Sequence, residues 1–188
     1  MSPEKIERIV YVGDFNVHDG KILATDPSRQ SAAEVGQVLF QPCESGLWRA
    51  FVEDDTVHTY KLIAIAAQSE PHSSDWAVVL DQIVAVETCQ AGLFDSSRYA
   101  FDQEFYEKIC DMTVREVAEP AVHKMPGVEA WCFGNGVVSG TATESGDCLC
   151  YAMTNSDGII YGVTIVFYKS YMKWTELSLS KMLAMQHD

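Results

Sequence analysis

The chain has 188 residues, 47% of them hydrophobic, and carries 13 Lys plus Arg against 27 Asp plus Glu for a formal net charge of −14. That length suits one domain, able to bury roughly 70% of its unfolded surface without a metal or disulfide staple. The apolar content excludes disorder, the lack of any Lys/Arg cluster removes what nucleic acid or an anionic membrane would bind, and no apolar run reaches the length of a membrane span.

The opening stretch MSPEKIERIVYVGDF places charges throughout its first eight residues and holds only a four-residue apolar run. No secretory or transit signal is read in it, and a cytoplasmic protein is expected. Residues 6–12 predict a first strand, since IVYV is β-branched and aromatic. NVHDGKILAT predicts a hairpin turning at Asp19-Gly20, with residues 21–25 as the return strand. Asp26-Pro27 ends that strand, and residues 38–40 form a weaker strand candidate before the QPCESG turn. Residues 47–52 and 57–67 predict a second hairpin joined by an acidic link. In its return strand Tyr60, Leu62, Ala64 and Ala66 share one face, and Lys61, Ile63 and Ile65 the other. WAVVL (76–80) and IVAVE (83–87) read as two further buried strands.

The period changes after residue 100. Phe101, Phe105, Ile109 and Met112 recur at helical spacing, which predicts an amphipathic helix over 101–117 with Asp102 in its first turn. A strand pattern resumes over 131–139 around Gly134 and Gly136, and residues 151–154 and 159–168 flank NSDG as a last hairpin. Trp174, Leu177, Met182 and Met185 lie near one helical face, so a helical tail is expected. The predicted class is mainly β (α+β): an antiparallel sheet or sandwich with one amphipathic helix, comprising a domain over 1–169 and an appendage over 170–188.

Six cysteines are present, at 43, 89, 110, 132, 148 and 150. Without a signal segment they read as free thiols in a reducing compartment. Cys148 and Cys150, in GDCLCY, would share one face of a strand. Their spacing is too wide for an unstrained disulfide. A zinc site would need two more ligands, for which only the distant Cys132 and His123 offer themselves. Packing on a strand face is the expectation, with no metal and no cofactor.

Three segments, VGDFNVHDGKILATDP (12–27), VAVETCQAGLFD (84–95) and GVVSGTATESGDCLCYAMTNSDGIIYGVTIVF (136–167), together resemble a family of bacterial and eukaryotic proteins of unknown function. They cover about a third of the chain in order. The resemblance implies a shared fold and no reaction. This chain departs from the family pattern where Cys148-Leu149-Cys150 replaces a Gly-Ser run before Tyr151, and where Glu87-Thr88-Cys89 precedes Gln90-Ala91-Gly92.

Candidate ligand-binding residues are Asp26, Gln90, Asp95 and Asp147, polar groups beside turns that would suit a cation or an amine. The same residues are also favoured turn and capping residues. Cys89 as a nucleophile lacks a histidine linked to it by any motif, and no serine-hydrolase elbow or phosphate loop is found. The tail residues Tyr171, Trp174 and Met182 are candidate interface positions, suited to a partner chain or to self-association into a homo-oligomer. The expected function is a non-enzymatic acidic binding module for a basic protein or a small ligand, of immunity or inhibitor type. The alternatives are a small hydrolase or metal-assisted enzyme using a carboxylate pocket, and a structural homo-oligomer.

Overall fold

A computed structural model describes residues 8–29, 35–54, 59–69, 76–99, 107, 130–141 and 146–167. The strands are β1 (Arg8–Val17), β2 (Ile22–Thr25), β3 (Val38–Phe40), β4 (Gly46–Asp54), β5 (Thr59–Ala66), β6 (Trp76–Val86), β7 (Gln90–Asp95), β8 (Ala130–Phe133), β9 (Gly136–Gly140), β10 (Gly146–Thr154) and β11 (Ile160–Val166). They form two antiparallel sheets. The first has the order β1-β4-β5-β11-β10-β6 and the second β3-β2-β7-β9-β8.

The two long hairpins arise locally. In the β10–β11 turn, the Asn155 side-chain oxygen accepts the amides of Asp157 and Ile159 at 3.0 Å each, an Asx turn that sets the reversal. β4 and β5 pair from Trp48↔Ala66 to Asp54↔Thr59, so Trp48, Ala50 and Val52 share a face with Leu62, Ala64 and Ala66. That face looks inward: Phe15 and Trp48 are fully buried, while Asp14, Asn16 and Leu47 on the alternate positions are exposed. From the second sheet Ile22, Ala24, Ala91, Leu93 and Val137 join the same core. Leu23, Phe94, Tyr99 and Val138 make a separate cluster on that sheet's other face.

Four sequence expectations change. Asp19-Gly20 does turn, with Gly20 at φ 66°, but β1 and β2 do not pair as a hairpin, because they enter different sheets. The turn is held by other elements: Cys43 donates its amide to the Gly20 carbonyl at 2.8 Å, and a Cβ at Gly20 would lie 2.8 Å from the Cys43 oxygen. The runs 76–80 and 83–87 merge into one strand, β6. The pattern over 131–139 is two paired strands, β8 and β9, turning at Gly134-Asn135. Residues 90–95, for which no strand is predicted, form the strand β7.

Within the predicted helix 101–117 only Glu107 is described, exposed and helical. The rest of that helix and the tail over 170–188, with Tyr171, Trp174 and Met182, lie outside the described residues. Among the described residues no helix is long and apolar enough to cross a membrane.

Both faces of β5 are buried, which explains the continuous apolar run there. It also buries Lys61, whose ammonium lies 2.7 Å from the Glu53 carboxylate directly across the β4–β5 ladder. Their side chains are 1% and 4% exposed.

Candidate functional site

Asp26 is fully buried at the end of β2, and its carboxylate has four donors. Oδ2 accepts the Glu87 amide at 2.6 Å and the Thr88 amide at 2.8 Å. Oδ1 accepts the Ser28 amide at 2.8 Å and the Thr88 hydroxyl at 2.7 Å. The acid therefore fixes the turn between β6 and β7, where Cys89 takes a left-handed φ of 61° that a side chain rarely adopts. The Thr141 amide closes on the Cys89 carbonyl at 2.7 Å. Residues 26–28, 87–89 and 141, from segments separate in sequence, thus meet at one end of the β2–β7 ladder.

This end builds a surface on the edge strand β6. The Ala85 amide donates to the Gly36 carbonyl at 3.0 Å. Gly36 has φ 89°, and a Cβ there would lie 2.5 Å from that of Ala85, so the approach requires glycine. Arg29 reaches the Ala85 carbonyl at 3.4 Å and the Glu87 carboxylate at 2.9 Å. With its edge amide and carbonyl engaged, Ala85 is closed to an added strand, and its surroundings offer side chains instead. Those side chains are apolar. Val35 is 91% exposed and Ile83 36% exposed, and Ile83 pairs with the half-buried Leu149 on the same outward face. Two acids rim the patch: Glu87, and Asp147, which is exposed and paired with Ala85.

Asp95 lies elsewhere. It pairs with Ile22, whereas Asp26 follows Thr25 at the far end of the same β2–β7 ladder. Four residues at ~3.4 Å each put about 14 Å between these positions along the strands. The structure therefore gathers Asp26, Gln90 and Asp147 at one end and leaves Asp95 at the other. Gln90 is half-buried, and its Oε1 is buried without a hydrogen-bond partner. Asp95 is fully buried and accepts the Ser97 amide and hydroxyl on Oδ1 at 3.2 and 2.8 Å. On Oδ2 it accepts the His18 amide at 3.3 Å and the imidazole Nδ1 at 2.5 Å. Sequence reasoning passed over His18, because 77 residues separate it from Asp95. Its only local signal is the His-Asp-Gly turn.

Cys148 and Cys150 do share one face of β10, and both are buried and free. Burial pushes the Cys148 thiol up to about 12, with the Asp147 charge adding to it. Burial pushes Cys150 higher still, and Cys43 to about 12. Such thiols are poor nucleophiles and poor metal ligands. Among the described residues no three His, Cys, Asp or Glu side chains group as a metal site. Cys89 is only half-buried. Iodoacetamide labelling mapped by mass spectrometry should therefore modify Cys89 at least about tenfold faster than Cys43, Cys148 or Cys150. Equal rates would contradict the burial described.

No family model matches the chain, and no curated protein or solved structure is similar enough to it to count as a match.

Proposed function

We propose that the protein is a non-catalytic binding module that engages a basic protein partner, in the manner of an immunity protein or inhibitor, through the patch around Ala85. The observation that carries this reading is the exposure of Val35 and Ile83, the latter paired with the half-buried Leu149, near Glu87 and Asp147 on a chain of net charge −14. Contiguous apolar surface with a polar rim is the anatomy of a protein contact. A strongly negative field speeds encounter with a cationic partner and discourages acidic ones. Among the described residues Arg29 lies on Glu87 at 2.9 Å, so that pair is close to neutral and Asp147 carries the rim's negative charge.

Surface-immobilised protein should be presented to a panel of basic proteins at about 0.05 and about 0.3 M salt, which shortens the screening length. At least one panel member should bind, with an association rate falling about tenfold at the higher salt. Ile83→Lys should weaken that complex at least about tenfold while leaving the circular dichroism spectrum unchanged. Binding indifferent to salt and to Ile83→Lys would refute the reading.

A further inference from the structure

The outward face of the first sheet is buried at its centre, an observation independent of the Ala85 patch. By the register, Phe51 of β4, Ile63 and Ile65 of β5, Thr164 of β11 and Met153 of β10 all point away from the second sheet. Each of these five is 0% exposed. The Glu53–Lys61 pair lies on the same face. The edges of the face are open: Tyr11 and Leu47 on the β1–β4 side are 39% and 42% exposed, and Ile83 on β6 is 36% exposed. A strip over four adjacent strands is therefore covered while the corners are not. Among the described residues no strand supplies that cover, because the second sheet packs on the opposite face. A single chain by itself buries the strip, so the cover belongs to the same chain.

Two stretches of the chain are long enough to supply it, the one between Tyr99 and Ala130 and residues 168–188. The first starts and ends on the second sheet. Its preceding residue, Tyr99, sets its ring 4.7 Å from that of Phe94, in the cluster on that sheet's outward face. The stretch then returns to β8, a strand of the same sheet. Residues 168–188 instead follow β11, which lies between β5 and β10 inside the covered strip. Size agrees with this connectivity. Four strands leave three gaps of ~4.8 Å, about 14 Å in all. Trp174, Leu177, Met182 and Met185 recur near one helical face, and at 1.5 Å per residue that stripe spans about 17 Å.

We propose that the outward face of the first sheet is the docking site of the chain's own residues 168–188, with the Trp174–Met185 stripe seated across Phe51, Ile63, Ile65 and Met153. The short link from β11 makes this an intramolecular event, favoured over capture of a second chain by its high effective concentration. The docked segment takes the Glu53–Lys61 pair out of water. It also occupies Trp174 and Met182 within the chain, so these residues are not a surface for a partner or for self-association.

The test replaces Trp174 by the photo-cross-linker p-benzoylphenylalanine in the full-length protein. An equal mixture of 15N-labelled and unlabelled chains is irradiated, and the cross-linked peptides are mapped by mass spectrometry. Cross-links should fall on residues 51–53, 61–65 or 151–153, and each should join peptides of one isotope. Cross-links between the two isotopes would seat a second copy on the face. Cross-links confined to residues 23, 94 or 138 would place the segment on the other sheet, and no cross-link at all would leave it in solvent. Each of these three results overturns the proposal. As an independent readout, Trp174→Gln should lower the urea midpoint by more than Leu47→Gln, at an exposed corner of the same face, does. An unchanged midpoint in Trp174→Gln would equally overturn it.

Discussion

Asp26→Ala should cost about 3–5 kcal/mol, the range expected when several buried donors lose one common acceptor. The amides of Glu87, Thr88 and Ser28 and the Thr88 hydroxyl all converge on that carboxylate. An alanine leaves each of them to find water or remain unpaired. Asp26→Asn keeps one acceptor oxygen but points an amide at donors, and should lose about 2–3 kcal/mol. Urea unfolding followed by circular dichroism reads both as a lower midpoint at unchanged slope. The effect should also reach function. The turn at 87–89 sets where Glu87 stands beside the Ala85 patch, so Asp26→Asn should weaken partner binding more than Ser28→Ala, at its half-buried neighbour, does. A midpoint within experimental error of wild type would show that the four bonds are dispensable.

The Glu53–Lys61 pair should behave differently from a surface ion pair. Removing one partner, by Glu53→Gln or Lys61→Met, strands the other charge in a site where the side chains are 4% and 1% exposed. Each single change should cost about 3–5 kcal/mol. The double variant Glu53→Leu, Lys61→Met replaces both charges with apolar groups of similar length beside Phe51 and Ile63, and should recover to within about 1 kcal/mol of wild type. A double-mutant cycle by urea unfolding gives the coupling directly. Additive losses would mean that the two charges do not depend on each other.

What the sequence made legible was local. The β4–β5 and β10–β11 hairpins announce themselves through turn residues and alternation, and residues a few positions apart settle them. Even the buried ion pair had a local trace, since Glu53 and Lys61 face each other across a short hairpin link. The assignment of strands to sheets did not have one. Asp19-Gly20 has the chemistry of a hairpin turn, yet β1 finds β4 and β2 finds β3 and β7, pairings decided by which faces can be buried together. The sites depend on longer separations still. Asp26 meets its donors 61 and 62 residues away, and Asp95 meets His18 at 77. No spacing rule links such residues. The candidate acids were recognisable as residues beside turns, but their division between two ends of the fold follows from the register of β2 on β7, which sequence alone does not specify.

The Ala85 patch is the face proposed to meet a partner. Hydrogen exchange on the complex with the tightest-binding basic protein of the panel, compared with the free chain, tests it most directly. Added protection should concentrate in residues 35–37, 83–89 and 147–149 and leave residues 18–21 and 95–98 unchanged. Protection falling elsewhere, with 83–89 exchanging as in the free protein, would contradict it.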